Sequence, residues 1–71
     1  MNNVNPKSLL HSKWTKMQVE NREKHFVITH VERDENHKVV ACLIQAVMNK
    51  KEYPINWREL KNISLWRQGW Q

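Results

Sequence analysis

Cysteine occurs once, glycine once and proline twice in the 71 residues, and each scarcity removes a class of protein. A lone Cys42 forms no internal disulfide, so the staple that holds many small exported domains together is missing and a reducing, cytoplasmic setting is expected. One glycine leaves no glycine-rich loop to cradle phosphates. The longest nearly uninterrupted apolar run, Val39 to Met48, is far short of the ~20 residues that a membrane helix needs. The start, Met1-Asn2-Asn3-Val4-Asn5-Pro6, lacks the basic-then-apolar layout of a signal peptide. A soluble, unexported protein without membrane contact is therefore expected.

A chain of this length buries only about 60% of the surface that its unfolded form exposes, so each large side chain matters. One small domain over residues 1–71 is expected, with residues 1–4 disordered. Four tryptophans, each covering on the order of 200 Å² when buried, are the main apolar resource, and most of them are expected in the core. The net charge is +5, unevenly placed: residues 1–18 carry three lysines and no acid, the corner Glu32-Arg33-Asp34-Glu35 is mainly acidic, and the chain from Lys38 onward is basic again. Two basic ends suit an anionic partner, and they equally serve solubility.

The run from Val39 to Met48 reads as a central β-strand, rich in β-branched residues and leucine and bounded by turn-type residues. His25 to Glu32 reads as a second strand, joined to the first by a turn at Asp34-Glu35-Asn36-His37 in which Asn36 supplies the left-handed residue. Pairing Arg33 with Lys38 sets Phe26 beside Gln45 and Ile28 beside Leu43. A turn at Asn49-Lys50-Lys51 then returns Glu52 to Trp57 as an edge strand, because Pro54 lacks the N–H that a ladder needs. With Met48 opposite Glu52, Tyr53, Ile55 and Trp57 join the Phe26/Ile28 face as the main core. A one-residue slip would exchange the faces.

At the amino end, Asn5-Pro6 reads as the cap and first residue of a short helix. Ser12 to Val19 alternates loosely like a half-buried strand with Trp14 on one face, and Glu20 to Lys24 reads as a charged loop. At the carboxyl end, Leu60, Ile63, Trp66 and Trp70 recur at three- and four-residue spacing, with Asn62 placed to cap a helix and Gly69 to end it. The fold class is thus mainly β, α+β at the margin: a small antiparallel meander, or an SH3-like partly open barrel, with a short C-terminal helix.

The strings Asn5-Pro6-Lys7 with Leu9-Leu10, Ser12-Lys13-Trp14-Thr15, Glu23-Lys24-His25-Phe26, Trp57-Arg58-Glu59-Leu60-Lys61, and Trp66 with Gly69-Trp70 resemble a family of short tryptophan-rich bacterial proteins of unknown function. The resemblance covers almost the whole chain. Asp is usual in that family where this chain has Asn62, a change that keeps the capping role. The resemblance implies a bacterial cytoplasmic protein and carries no activity with it.

Chemistry-bearing residues are few. His11, His25, His30, His37 and Cys42 are the candidate metal ligands or nucleophile. His25 and His30, an odd number of residues apart, point to opposite sides of a regular strand. In the register above, Cys42 lies roughly 13 Å from His25, beyond a thiolate–imidazole pair. Glu32, Asp34 and Glu35 sit at a wet turn, and no second acid is placed to split their pKa values. An enzyme needs a pocket of about 300 Å³ or more, hard to carve from so small a core. No catalysis, cofactor or metal is expected.

Two binding readings remain. In the first, Lys13, Trp14, Lys16, Arg58, Lys61, Trp66, Arg67 and Trp70 interleave basic and aromatic side chains as RNA- or single-stranded-DNA-binding surfaces do. The plain alternative is that the indoles are core and the cations lie on them as cation–π pairs; Trp70, near the free end, is then the expected exception. In the second, exposed Trp and Arg and the edge strand form a protein-interaction module or a homodimer contact. Salt separates the two: nucleic-acid binding weakens steeply as salt rises, and a hydrophobic interface barely responds.

Overall fold

Strand-forming segments make up nearly half of the chain, and the computed structural model, which describes residues 2–71, lays them in one antiparallel sheet. The strands are β1 (Lys13–Glu20), β2 (Glu23–Arg33), β3 (Val39–Ala46), β4 (Glu52–Pro54) and β5 (Trp66–Gln68), in the spatial order β4-β3-β2-β1-β5. Its edges do not meet, so the sheet is open rather than a barrel. Two short 3-10 segments, Pro6–Ser8 and Trp57–Lys61, are the only helical turns among the described residues. Asn5 caps the first as its sequence indicates, its side chain accepting from the Lys7 N–H at 3.0 Å.

The β2-β3-β4 meander is as expected, with β4 short and at the edge, where Pro54 is tolerated. The registers differ. Phe26 stands opposite Ala46 and Ile28 opposite Ile44, one residue away from the pairing that the turn residues indicate. The turn itself explains the slip: His37, not Asn36, takes the left-handed conformation (φ 62°), while the Asp34 carboxylate accepts from the N–H groups of Asn36 and Lys38. Two bulges follow, with Thr29 the extra residue on β2 and Val40 on β3. They switch which alternate residues face inward, so that Val31 and Val39 lie against the core and Val40 stays 62% exposed. β3 ends at Ala46, two residues early, and Tyr53 pairs with Ile44 rather than Val47.

The C-terminal helix is not formed. Asn62 ends the 3-10 segment instead of starting a helix, its carbonyl accepting from Leu65 and Trp66, and the tail runs on as β5 against β1. The reason lies in β1. After Thr15 its pairing with β2 breaks until Glu20 meets Glu23, and the edge of β1 that faces away from β2 carries backbone groups that a strand satisfies and a helix cannot. Met17 N–H donates to Leu65 O at 2.9 Å and Gly69 N–H to Lys13 O at 2.8 Å. The same break draws part of the expected loop into strands, leaving only Asn21-Arg22 as the hairpin turn.

The core occupies one face. Trp14, Phe26, Ile28, Cys42, Ile44 and Ala46 point to it from the strands, and Leu9, Leu60 and Trp66 close over them. Phe26 and Trp66 meet edge to face, ring centroids 5.2 Å apart. Trp14, 2% exposed, has its indole N–H bonded to the Ser12 hydroxyl at 2.9 Å, so its burial strands no donor. Met1, part of the segment 1–4 expected to be disordered, lies outside the described residues; Asn2 donates to the carbonyls of Leu60 and Trp66, and Val4 packs on the core.

The β1–β2 turn carries a local conflict. Asn21 and Arg22 both have positive φ (53° and 64°), the type I′ geometry that favours Asn-Gly. Arg22→Gly should raise stability by about 1 kcal/mol, through relief of Cβ crowding. Thermal unfolding should report this as a melting point higher by about 5 °C.

Candidate nucleic-acid interface

Residues paired directly across strands share a face, and pairing places Lys13, Thr15, His25, Val27, Gln45 and Arg67 together on the side opposite the core. No 3-10 segment covers this side. Its one large aromatic is Trp70, which reaches it because Gly69 (φ 76°) turns the chain out of β5 and back across the sheet. The Thr15 hydroxyl fixes this return by donating to Gly69 O at 2.7 Å and accepting from the Gln71 N–H at 2.9 Å. The Trp70 indole N–H donates to Phe26 O at 2.9 Å. The ring is thereby held in place yet stays 44% exposed. Lys13 Nζ sits 4.8 Å from its centroid, and the His25 ring lies 5.9 Å away with the planes tilted by 34°.

The eight residues that the sequence singles out fall into three places. Lys13, Arg67 and Trp70 come together on the open face. Trp14 and Trp66 are buried in the core, where no base can stack on them, and Lys16, opposite Trp66, turns to the core side of the sheet. Arg58 and Lys61 flank Trp57 on the second 3-10 segment, at 5.7 and 5.1 Å from its ring. A 3-10 helix has three residues per turn, so Arg58 and Lys61 are stacked one above the other, and Trp57 is half-buried beneath them. His25, weighed in the sequence only as a metal ligand, proves to be the neighbour of Trp70.

The histidines and cysteine do not converge. His30 pairs with Glu32 at 3.2 Å, His25 contacts Gln71 O at 3.1 Å, and among the described residues no three His, Cys, Asp or Glu side chains lie close enough to hold a metal. Cys42 is buried, and burial raises its thiol pKa, which keeps it protonated and poorly nucleophilic. No helix among the described residues is long and apolar enough to cross a membrane.

One polar group escapes a reading of the sequence altogether. Glu23, assigned there to a loop, opens β2 and is 5% exposed. Its carboxylate accepts from the Tyr53 hydroxyl (2.8 Å to the nearer oxygen) and from Asn49 Nδ2 at 3.0 Å. The hydrogen bonds from Asn49 and Tyr53 hold its pKa below the usual carboxylate value against the opposing effect of burial, and the charges of Lys51 and Lys16 add to them. The bond to Glu23 in turn raises the Tyr53 phenol, with burial and the carboxylate charge in support. Periodicity gives no warning of this site, because Glu23 and Phe26, three residues apart, both turn inward where the β1–β2 pairing breaks.

The family model described as "Tryptophan-rich protein (DUF2389)" matches residues 12–71. No curated protein and no solved structure matches the chain.

The Glu23 cluster predicts a pH dependence. A carboxyl whose folded pKa lies below its unfolded value stabilises the fold above the unfolded value, and that contribution is lost as the pH falls through the folded one. Denaturant unfolding of the native protein and of Glu23→Gln should therefore differ most near neutrality, with the native chain the more stable. The gap should close as the pH drops below about 4.3, the ordinary range of a glutamate.

Proposed function

We propose that this chain, which belongs to the tryptophan-rich family DUF2389, is a small non-catalytic module that binds RNA or single-stranded DNA on the open face of its sheet. The observation that carries this reading is Trp70: an indole fixed at its N–H edge, 44% exposed, with Lys13 over the ring and Arg67 on the same face. A base stacked on such a ring contributes about 1–3 kcal/mol, and the cations neutralise the phosphates on either side. His25 and Gln45, on the same face, offer hydrogen-bonding groups to base edges. Trp57 with Arg58 and Lys61 supplies a second aromatic and basic patch that a longer strand could reach. The net charge of +5 favours approach of a polyanion.

A protein-interaction reading has one observation in its favour. β4 lies alongside β3 only from Leu43 to Gln45, which leaves Val39 to Ala41 without a neighbouring strand on that side and Val40 well exposed. The bulge at Val40 makes that edge a poor template for a further strand, so the nucleic-acid reading is preferred.

Titration with a mixed-sequence single-stranded RNA, followed by backbone amide and indole N–H resonances at low and physiological salt, tests the proposal. The Trp70 indole should shift together with Lys13, His25 and Arg67, while the Trp14 and Trp66 indoles stay still. Trp70→Ala should weaken binding about tenfold. Lys13→Ala and Arg67→Ala should each lower the slope of log affinity against log salt by about one. No indole shift at low salt, with only scattered lysines responding, would exclude this function.

A further inference from the structure

Of the four histidines, one stands apart by its surroundings. His11 and His37 lie in turns with left-handed backbone (φ 68° and 62°), and His30 pairs with Glu32 at 3.2 Å. His25 instead sits in β2 opposite Thr15, with its ring 5.9 Å from that of Trp70 and its Nε2 3.1 Å from the Gln71 carbonyl oxygen. It is the one titratable imidazole against the exposed indole.

The charged groups that the neighbouring elements bring to this side are mainly cations. β1 supplies Lys13, whose Nζ lies 4.8 Å from the centroid of the same indole, and β5 supplies Arg67, paired with Thr15. The turn after β3 meets β2 where the Val47 N–H donates to His25 O at 2.9 Å, and it carries Lys50 and Lys51; Lys24 precedes His25 in β2. The carboxylates are engaged elsewhere. Glu23 turns to the core side, where Tyr53 and Asn49 hold it, and Glu52, two strands away on the open face, accepts from the Thr29 hydroxyl at 2.7 Å. In the free protein a charge gained by His25 is therefore opposed by Lys13 and Arg67. A chain of phosphates laid across the face supplies the negative charge that is missing.

We propose that single-stranded nucleic acid binds this face together with one proton, taken up at His25, an inference that rests on the nucleic-acid reading above. The imidazolium joins Lys13 and Arg67 around the indole, and its cation faces the Trp70 ring. Coupling between two ligands is reciprocal, so a lower pH tightens binding by the same factor by which bound phosphate favours the imidazolium. Histidine side chains change charge between about pH 5 and 8, and an opposite charge at close range moves such an equilibrium by about one unit or more. The affinity thus rises about tenfold between about pH 7.5 and about pH 5.5.

The probe is a short oligouridylate without terminal phosphates, because its uracils and phosphodiesters keep their charge over that range. It is titrated into the full chain at both pH values while the Trp70 indole N–H and the His25 ring resonances are followed. Binding about tenfold tighter at the lower pH is expected, with the slope of log affinity against log salt steeper there by about 0.7. The His25 ring should titrate at a higher pH in the complex than in the free chain. His25→Gln should bind with one affinity at both pH values, and so should His25→Lys, which carries its charge throughout. His37→Asn, altered in the turn between β2 and β3, should keep the full pH response. Equal affinity of the native chain at both pH values, with the Trp70 indole shifting, would overturn the proton coupling and leave the nucleic-acid reading standing. A pH response that survives in His25→Gln would overturn it too, by assigning the proton to another group. No Trp70 shift at either pH would remove both.

Discussion

The edge-to-face contact between Phe26 and Trp66 ties the middle of the sheet to its last strand across the core. With only two short 3-10 segments among the described residues available as cover, a one-layer sheet closes its apolar face with individual large side chains, Trp66 among them. Its position fixes β5 on β1. That in turn decides where Gly69 turns the chain and where Trp70 comes to rest. The molecule measures 37 × 26 × 15 Å, and its short dimension is that of a sheet covered on one side.

One-sided cover separates the chemistry into two environments. Cations and the exposed indole occupy the open face, where Lys13, Arg67 and Trp70 gather from β1, β5 and the tail. Carboxylates gather on the other side, around the opening into the core, where Glu23 is held by the phenol and the amide of β4 and of the turn before it. Summed charge therefore describes this protein poorly.

The sequence carries much of the fold and less of the site. Strand-forming character in 25–32 and 39–46 is strong because β-branched residues cluster there, and Pro54 marks β4 as an edge without help from any other residue. The register between β2 and β3 was open to error because both strands are apolar on alternate and on intervening positions, so Phe26 opposite Gln45 and Phe26 opposite Ala46 satisfy the pattern equally well. Which is realised depends on whether Asn36 or His37 takes the left-handed corner, and on the bulges at Thr29 and Val40, which leave no trace in composition. Leu60, Ile63, Trp66 and Trp70 do carry a helical period. It is overruled because Ile63 and Leu65 stay exposed while the unpaired edge of β1 captures the backbone of residues 65–69.

By itself the sequence determined what is local or additive: a mainly β chain without a disulfide, a capped turn at Asn5-Pro6, an edge strand at Pro54 and a basic surplus at both ends. It also marked Trp70 as the indole to expect outside the core. Tertiary structure alone decided which of the interleaved Trp and basic residues meet, because the side of the sheet on which a residue lies depends on pairings between segments tens of residues apart. It decided, too, that Glu23 is buried beside Tyr53 and Asn49 rather than solvated in a loop. The physical reason is common to both: alternation along a strand has a period of two residues, so each bulge or broken pairing exchanges inside for outside in everything beyond it.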